Sequence, residues 1–357
     1  MGGAERVMAT LANYCVKHGD RIRILTMKSA ECAYKLEPGV EIIGANATMD
    51  MTSISKSFRS IASIIKAIGK YKKELKEYQP DLVLSFLTYT NLIASIFGRT
   101  QAPVIISERC DPEKRGKILR KVVKCIFPKS NRIVCQSKTI EDYFKSLQAR
   151  TKVIPNPLNS ECINTKPISL REKRIIAAGR LSTQKNYPVL IKAFNLIKDQ
   201  IPDYVLEIYG QGPEKEKLQE LIDELGLTGS VFLMGTLANV MKLKADSTLY
   251  VMSSDYEGFP NALCEAMASG IPVISTDFPS GVAHELIQNG INGYVVPVGD
   301  AAKLGEAMKN IVNNPDIQEY MSKNNEILRD KFSENRICSI WRDLFEEEVK
   351  KWRISKG

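Results

Sequence analysis

Residues 257–270, Glu257-Gly258-Phe259-Pro260-Asn261-Ala262-Leu263-Cys264-Glu265-Ala266-Met267-Ala268-Ser269-Gly270, decide the fold of this chain. Glu257 sits in a Gly/Pro turn and Glu265 inside a short helix. Upstream, Ser247-Thr248-Leu249-Tyr250-Val251-Met252-Ser253 reads as a β-rich run ending in a polar turn. Downstream, Gly270 is the expected C-cap and Pro272-Val273-Ile274-Ser275 the next strand. A strand, a tight turn, a helix start and another strand form the unit that binds phosphate in α/β proteins. Asn261, with Ala262 and Leu263 behind it, opens the helix and aims backbone N–H groups at an anion. Glu257 stands at the mouth of that site, and Glu265, about two turns further in, suits a diol such as a ribose. Taken singly, each carboxylate also reads as an ordinary surface residue. The apolar Met267 and Ala268 and the Gly-Phe-Pro turn favour the site.

Working outward, Ile175-Ile176-Ala177-Ala178 is a short buried strand, Gly179 a turn, and residues 188–197 a helix with apolar spacing. Arg180 and Lys185 flank that turn. Arg as a bidentate fork and Lys as a point charge can together hold a diphosphate, whereas either alone would pass for a solvated cation. Leu206-Glu207-Ile208-Tyr209-Gly210-Gln211-Gly212 and Val231-Phe232-Leu233-Met234-Gly235 are further strands running into glycine turns. Such turns occur in every doubly wound sheet, so the order and spacing of these strings carry the information.

In that order and spacing the chain resembles the family 4 glycosyltransferases, retaining enzymes of the GT-B fold, whose mark is Glu, seven residues, Glu. The resemblance is dense from about residue 150 to 335. It implies two Rossmann-like, doubly wound parallel-sheet α/β domains facing a cleft, with a C-terminal helix crossing back to the first domain. It assigns the donor site to Gly179, Arg180, Lys185, Gly210, Glu257, Gly258, Phe259, Pro260, Asn261, Ala262, Leu263 and Glu265, with Gly2 and Gly3 from a glycine loop ahead of the first helix. Arg180 and Lys185 would neutralise the departing nucleoside diphosphate, and Glu257 would orient the sugar without forming a covalent intermediate. Relatives carry a hydrophobic strand before the glycine loop, whereas this sequence starts with Met1 directly at the glycines. The expectation is a first domain without its first strand. Many relatives also place a His in a first-domain loop where this chain reads Ser107-Glu108-Arg109-Cys110-Asp111-Pro112. Glu108, Arg109 and Asp111 become the acceptor-side candidates, with capping of the next helix as the other reading. That string resembles a subgroup that builds surface polysaccharides on polyprenyl-diphosphate carriers.

Composition fits two soluble α/β domains: 357 residues, 44% hydrophobic and 25% charged. No apolar run is long enough for a transmembrane helix, and no secretory pattern is visible. Eight cysteines show no C-x-x-C pair and stand beside only two histidines, so no metal is expected. Scattered cysteines of this kind suit a reducing cytoplasm. Residues 1–165 hold 27 Lys and Arg against 15 Asp and Glu, a net of +12. Residues 166–357 hold 23 against 26, a net of −3, which together give the chain's +9. Between Lys56 and Lys76, Phe58, Ile61, Ile64, Ile65, Ile68 and Tyr71 recur at helical spacing among Arg59, Lys66, Lys70, Lys72 and Lys73. A second basic stretch holds Lys114, Arg115, Lys117, Arg120, Lys121 and Lys124. Both suit an anionic membrane surface, or else pack their apolar faces on the first sheet with the cations merely solvated. Nucleic acid is not expected as a partner, since aromatics are few, no binding signature is present and the second half is acidic.

Strands are expected at residues 21–26, 82–86, 104–107, 133–136 and 152–157, with a linker over 159–172 and a charged terminal helix from Phe332 to Trp352. The domain bounds read 1–165 for acceptor binding, 166–331 for donor binding and 332–357 for the returning helix. The function implied is transfer of a hexose or N-acetylhexosamine from a nucleoside-diphosphate sugar, in particular a UDP-sugar. The acceptor would be a hydroxyl of a glycan or polyprenyl-diphosphate-linked acceptor in capsule, lipopolysaccharide or exopolysaccharide assembly. No cofactor and no metal are expected, and the place of action would be the cytoplasm or the inner face of the plasma membrane. Two alternatives stay open: a nucleotide-sugar epimerase on the same fold, and a non-catalytic nucleotide-sugar-binding paralogue.

Overall fold

The structure is a computed structural model that describes residues 3–47, 58–109, 115–158, 167 and 170–356, without the side chains of 58–62. Gly2, Asp111, Lys56, Lys114, the Phe58 and Ile61 side chains and most of the expected linker lie outside the described residues. The chain divides into two compact units, one formed by residues 1–157 with 335–357 and the other by 158–334.

Unit 1 begins with α1 (Gly3–Lys17), β1 (Ile22–Thr26), β2 (Val40–Gly44), α2 (Phe58–Tyr78), β3 (Val83–Phe86) and α3 (Thr88–Phe97). It continues with β4 (Val104–Ser107), α4 (Lys117–Ile126), β5 (Arg132–Cys135), α5 (Lys138–Lys145) and β6 (Thr151–Val153). All of its strand pairs are parallel, in two separate sheets of order β1-β2 and β3-β4-β5-β6. Strand β2 was not expected from the sequence; its Val-Glu-Ile-Ile run is brief and follows Pro38-Gly39, which reads as a loop. The last strand ends at Val153 rather than reaching Pro157, because Pro155 and Pro157 cannot donate to a ladder.

Unit 2 runs β7 (Glu172–Ala178), α6 (Tyr187–Ile197), β8 (Val205–Tyr209), α7 (Lys215–Glu224), β9 (Val231–Gly235), α8 (Val240–Leu243) and β10 (Ser247–Met252). It then adds α9 (Asn261–Ala268), β11 (Val273–Thr276), α10 (Val282–Leu286), β12 (Gly293–Val296), α11 (Ala301–Val312) and α12 (Pro315–Lys331). Its six parallel strands stand in the order β12-β11-β10-β7-β8-β9. Ile175, Ala177, Leu249 and Val251 pack with α6, α7 and α11 in one apolar core. Ile176 and Tyr250, also buried, alternate to the opposite face. Burial on both faces explains why these strands read as unbroken apolar runs.

The last helix, α13 (Glu334–Lys356), belongs to unit 1 for all but its first residue. Its stripe of Ile337, Trp341 and Leu344 is buried, with Trp341 beside Phe86 at 6.2 Å between ring centroids. Arg342 reaches Asp20 at 3.1 Å and Arg353 reaches Asp81 at 2.7 Å. The helix expected to return to the first domain therefore does so.

Candidate functional site

In unit 2 the chain winds outward from β7 through β8 to β9, then returns to β10 on β7's other side. The order reverses between β7 and β10, and in open α/β sheets ligands collect at the carboxyl ends of the strands flanking such a point. Two loops leave those ends: 179–186 after β7 and 253–260 after β10. They are tied together. Asp255 donates its backbone N–H to the Gln184 carbonyl at 2.9 Å, and Ser253 donates its hydroxyl to the Lys185 carbonyl at 2.8 Å. The Asn186 amide donates to Asp255 Oδ1 at 2.6 Å, and Gln184 Nε2 to the Tyr256 carbonyl at 2.8 Å. Thr276, at the end of β11, donates to the Ser254 carbonyl at 2.6 Å.

At the centre of this lacing, Lys185 Nζ lies 2.6 Å from Glu257 Oε1. Glu257 is 8% exposed and also accepts the Ser254 hydroxyl at 2.7 Å. The pair joins the cation of the first motif to the leading carboxylate of the second. Tyr250 and Tyr187 lie beneath it. Burial pushes the Tyr250 phenol well above its ordinary range, with Tyr187, Glu257 and Glu265 adding to the effect. Burial, seconded by Glu257, raises Tyr187 likewise. Both phenols therefore stay protonated.

The glycines permit close approach of the neighbouring turns. A Cβ on Gly210 would fall 1.9 Å from the Gly179 carbonyl oxygen, and one on Gly212 would fall 2.2 Å from that of Leu181. At Gly179 a Cβ would meet Lys185 Cε at 2.8 Å. Leu181 N–H donates to the Gln211 carbonyl at 3.0 Å, so the turns after β7 and β8 form one surface. Arg180, on that surface, is exposed.

Helix α9 opens at Asn261 with Pro260 before it, and Leu263 is fully buried. The first-turn amides of a helix have no intrahelical acceptor, so those of Ala262 and Leu263 face forward with the positive end of the helix dipole. The rear end is closed by side chains: Arg329 donates to the Ala268 carbonyl at 3.0 and 3.1 Å, and Arg171 to the Gly270 carbonyl at 2.6 Å. Gly270 takes the left-handed conformation at φ 72° and caps the helix as expected. Phe259 packs edge-on against Phe332 at 6.3 Å, which anchors the Gly-Phe-Pro turn from behind. Gly258 is half-buried on the same turn, and Glu265 is half-buried on α9.

Ser254, Asp255, Asn186, Gln184 and Thr276 were not singled out from the sequence. No spacing rule marks them: Gln184 and Asn186 meet Tyr256 and Asp255 across 72 and 69 residues, Thr276 meets Ser254 across 22, and Ser254 bonds to Glu257 within its own loop. In unit 1, Gly3 is the first residue of α1. Glu108 is fully buried and bonds to Arg115 and to the backbone N–H of Arg109. Arg109 bonds to Asn156 and lies over the Phe86 ring at 4.7 Å, and burial lowers its guanidinium to about 9. Both acceptor-side candidates within the described residues are thus internal to their unit.

Lys185 paired with Glu257, the exposed Arg180 and the first-turn amides of α9 thus lie on loops and a helix start at the carboxyl ends of β7 and β10. The family model described as glycosyltransferase family 4 matches residues 1–161, and the model for glycosyl transferases group 1 matches 161–327. The chain belongs to the family 4 glycosyltransferases, enzymes of the GT-B fold. It is 27% identical over 352 residues to a Campylobacter jejuni GalNAc-α-(1->4)-GalNAc-α-(1->3)-diNAcBac-PP-undecaprenol α-1,4-N-acetyl-D-galactosaminyltransferase, covering 97% of this chain and 95% of that one. It is also 27% identical to the lipopolysaccharide core biosynthesis glycosyltransferase LpsD of Rhizobium meliloti, over 98% of this chain and 96% of that one. Among solved structures, Anabaena HepE in complex with UDP superposes with a TM-score of 0.80 at 21% identity, covering 97% of this chain and 96% of that one.

Proposed function

We propose that this glycosyltransferase moves a hexose or N-acetylhexosamine from a UDP-sugar to a hydroxyl of a glycan carried on a polyprenyl diphosphate, with retention, during surface polysaccharide assembly. The observation that carries this reading is the Lys185–Glu257 pair where β7 and β10 diverge. As the sugar–phosphate bond breaks, negative charge grows on the leaving diphosphate. Lys185, Arg180 and the amides at the front of α9 are fixed positive groups suited to that charge. Glu257 then orients the sugar, and the acceptor hydroxyl attacks from the face that the diphosphate vacates, with that phosphate taking the proton. The positive groups meet the diphosphate directly, so no divalent cation is required in this reading.

The acceptor assignment is supported by the Campylobacter relative, whose name places it on an undecaprenyl-diphosphate-linked glycan, and by the Ser107-Glu108-Arg109 string. Contact with an anionic membrane surface is supported by α4. Ile118 is 82% exposed there, between exposed Lys117 and Lys121, with Val122 one turn on. The basic α2 favours packing instead: Tyr71 joins the unit 1 core, Lys70 and Lys73 pair with Glu74 and Glu77, and Lys72 lies over the Phe97 ring. No described helix is long and apolar enough to cross a membrane.

A panel of UDP-, GDP- and ADP-sugars, each incubated with an undecaprenyl-diphosphate-linked acceptor in the presence and absence of EDTA, tests the reading. Transfer to the lipid acceptor, unaffected by EDTA, is expected. Donor isomerisation without an acceptor would indicate the epimerase, and binding without turnover the non-catalytic paralogue.

A further inference from the structure

Strands β3 and β4 run parallel and side by side, so the segments that follow them meet at the carboxyl ends, where α/β sheets gather ligands. After β3 there is no loop. Leu87, 47% exposed, takes φ 70° and ψ 149°, a backbone conformation that leucine rarely adopts, and α3 opens at Thr88. As the N-cap, Leu87 offers no side-chain acceptor to the amides of Thr88, Tyr89 and Thr90, which have no intrahelical acceptor either. The Thr90 hydroxyl is spent on the carbonyls of Phe86 and Leu87. Residues 88–90 are half-exposed, so this helix start is open to solvent.

Buried positive charge stands behind it. Arg115 reaches Thr88 Oγ at 3.1 Å and pairs with Glu108. Its side chain is 6% exposed, yet its Nε and Nη1 have no acceptor. Arg109 lies over the ring of Phe86 and bonds to the neutral Asn156 side chain, while its own Nε and Nη2 are buried without an acceptor. Among the described residues, two guanidiniums therefore stand beside one buried carboxylate, with four of their nitrogens unanswered. Buried donors left in this state are costly. In the sequence Arg115 belongs to a basic stretch that reads as solvated or membrane-facing. The structure turns it inward, whereas Lys117, Lys121 and Lys124 of that stretch are exposed.

We propose that the start of α3 is an oxyanion site of unit 1, formed by the Thr88, Tyr89 and Thr90 amides with Arg109 and Arg115, and that it takes a phosphate group of the acceptor. A phosphate presents several oxygens at once, which suits a guanidinium fork and a row of helix amides acting together. Its charge would also balance the second guanidinium, which Glu108 alone leaves over. The acceptor's part in this rests on the reading of the acceptor as a glycan on a polyprenyl diphosphate; the affinity of these residues for phosphate does not.

The test titrates inorganic phosphate into the full chain with saturating UDP present, so that the donor site of unit 2 is already filled. Amide hydrogen exchange at residues 88–91 should slow about fivefold or more as phosphate is added. Two variants should abolish the slowing while binding UDP as the unaltered chain does. Arg115→Met with Glu108→Gln removes the guanidinium together with the carboxylate it would strand. Thr88→Pro removes one amide at the first helical position, where proline is accepted. In transfer assays both should raise KM about tenfold or more for a glycan on undecaprenyl diphosphate, and leave KM unchanged for the same glycan as a phosphate-free methyl glycoside. Equal slowing in all three chains, no slowing in the unaltered chain, an unchanged KM for the lipid-linked acceptor or an equal rise for the phosphate-free one overturns the proposal. Failure of UDP to bind counts against the unit 2 site alone, because protection by phosphate at residues 88–91 is read without turnover.

Discussion

Replacing Lys185 by Met keeps the length of the side chain and removes its charge. The ammonium lies 2.6 Å from Glu257 Oε1, and the two side chains are 17% and 10% exposed. Without it the Glu257 carboxylate stays largely buried, with the Ser254 hydroxyl as a close remaining donor. A buried charged group that loses its main partner costs about 1–3 kcal/mol, and about 2 kcal/mol raises the open fraction of the laced loops roughly 30-fold. Hydrogen exchange at residues 182–187 and 253–258 reads this locally, which suits a two-unit chain whose global unfolding need not be two-state. Changing Glu257 to Gln as well removes the stranded charge, so the double variant should regain about 1–2 kcal/mol of local stability. Turnover should behave differently. Lys185→Met is expected to lower it at least tenfold, about 1.4 kcal/mol of transition-state stabilisation, and the double variant should not recover it. If transfer activity returns together with loop protection, Lys185 serves only as the counter-ion of Glu257 and the leaving-group assignment fails.

Gly210→Ala should weaken UDP binding at least tenfold by calorimetry and lower stability, because its Cβ would lie 1.9 Å from the Gly179 carbonyl. Gly229→Ala, with nothing within 4 Å, is the matched neutral control. Ile118→Asp should reduce sedimentation with phosphatidylserine vesicles several-fold without changing transfer to a soluble acceptor; unchanged sedimentation removes α4 from the membrane contact. Acid should weaken unit 1 through Glu74. The Lys70 hydrogen bond, against burial acting the other way and with Arg23 adding, holds its carboxyl below the usual carboxylate range. Its stabilisation is full above the unfolded value of about 4 and is lost as pH falls through the folded one. Glu74→Gln should therefore cost about 0.5–1 kcal/mol at pH 7 by tryptophan-monitored urea unfolding, and progressively less below pH 4.

What could be read in advance follows from how locally each feature is encoded. The Glu257–Gly270 string contains its own strand end, turn, helix start and C-cap, so α9 and β11 were legible residue by residue. The turn at Gly179 and the helix after it were legible for the same reason. Strand β2 was not, since five residues after a Pro-Gly pair carry too little periodicity to outweigh a loop. The internal place of Glu108 was also hidden: nothing local reveals that Arg115 folds back over it or that Asn156, at the far end of the unit, takes Arg109. The same distinction governs the site. Its charged members, Arg180, Lys185, Glu257 and Glu265, stand in motifs, whereas Asn186, Ser253 and Thr276 reach Asp255, the Lys185 carbonyl and the Ser254 carbonyl only because β7, β10 and β11 are neighbours in the sheet. Strand order is a long-range property, so a motif can name the charges that would meet a diphosphate while only the sheet shows what fixes their positions.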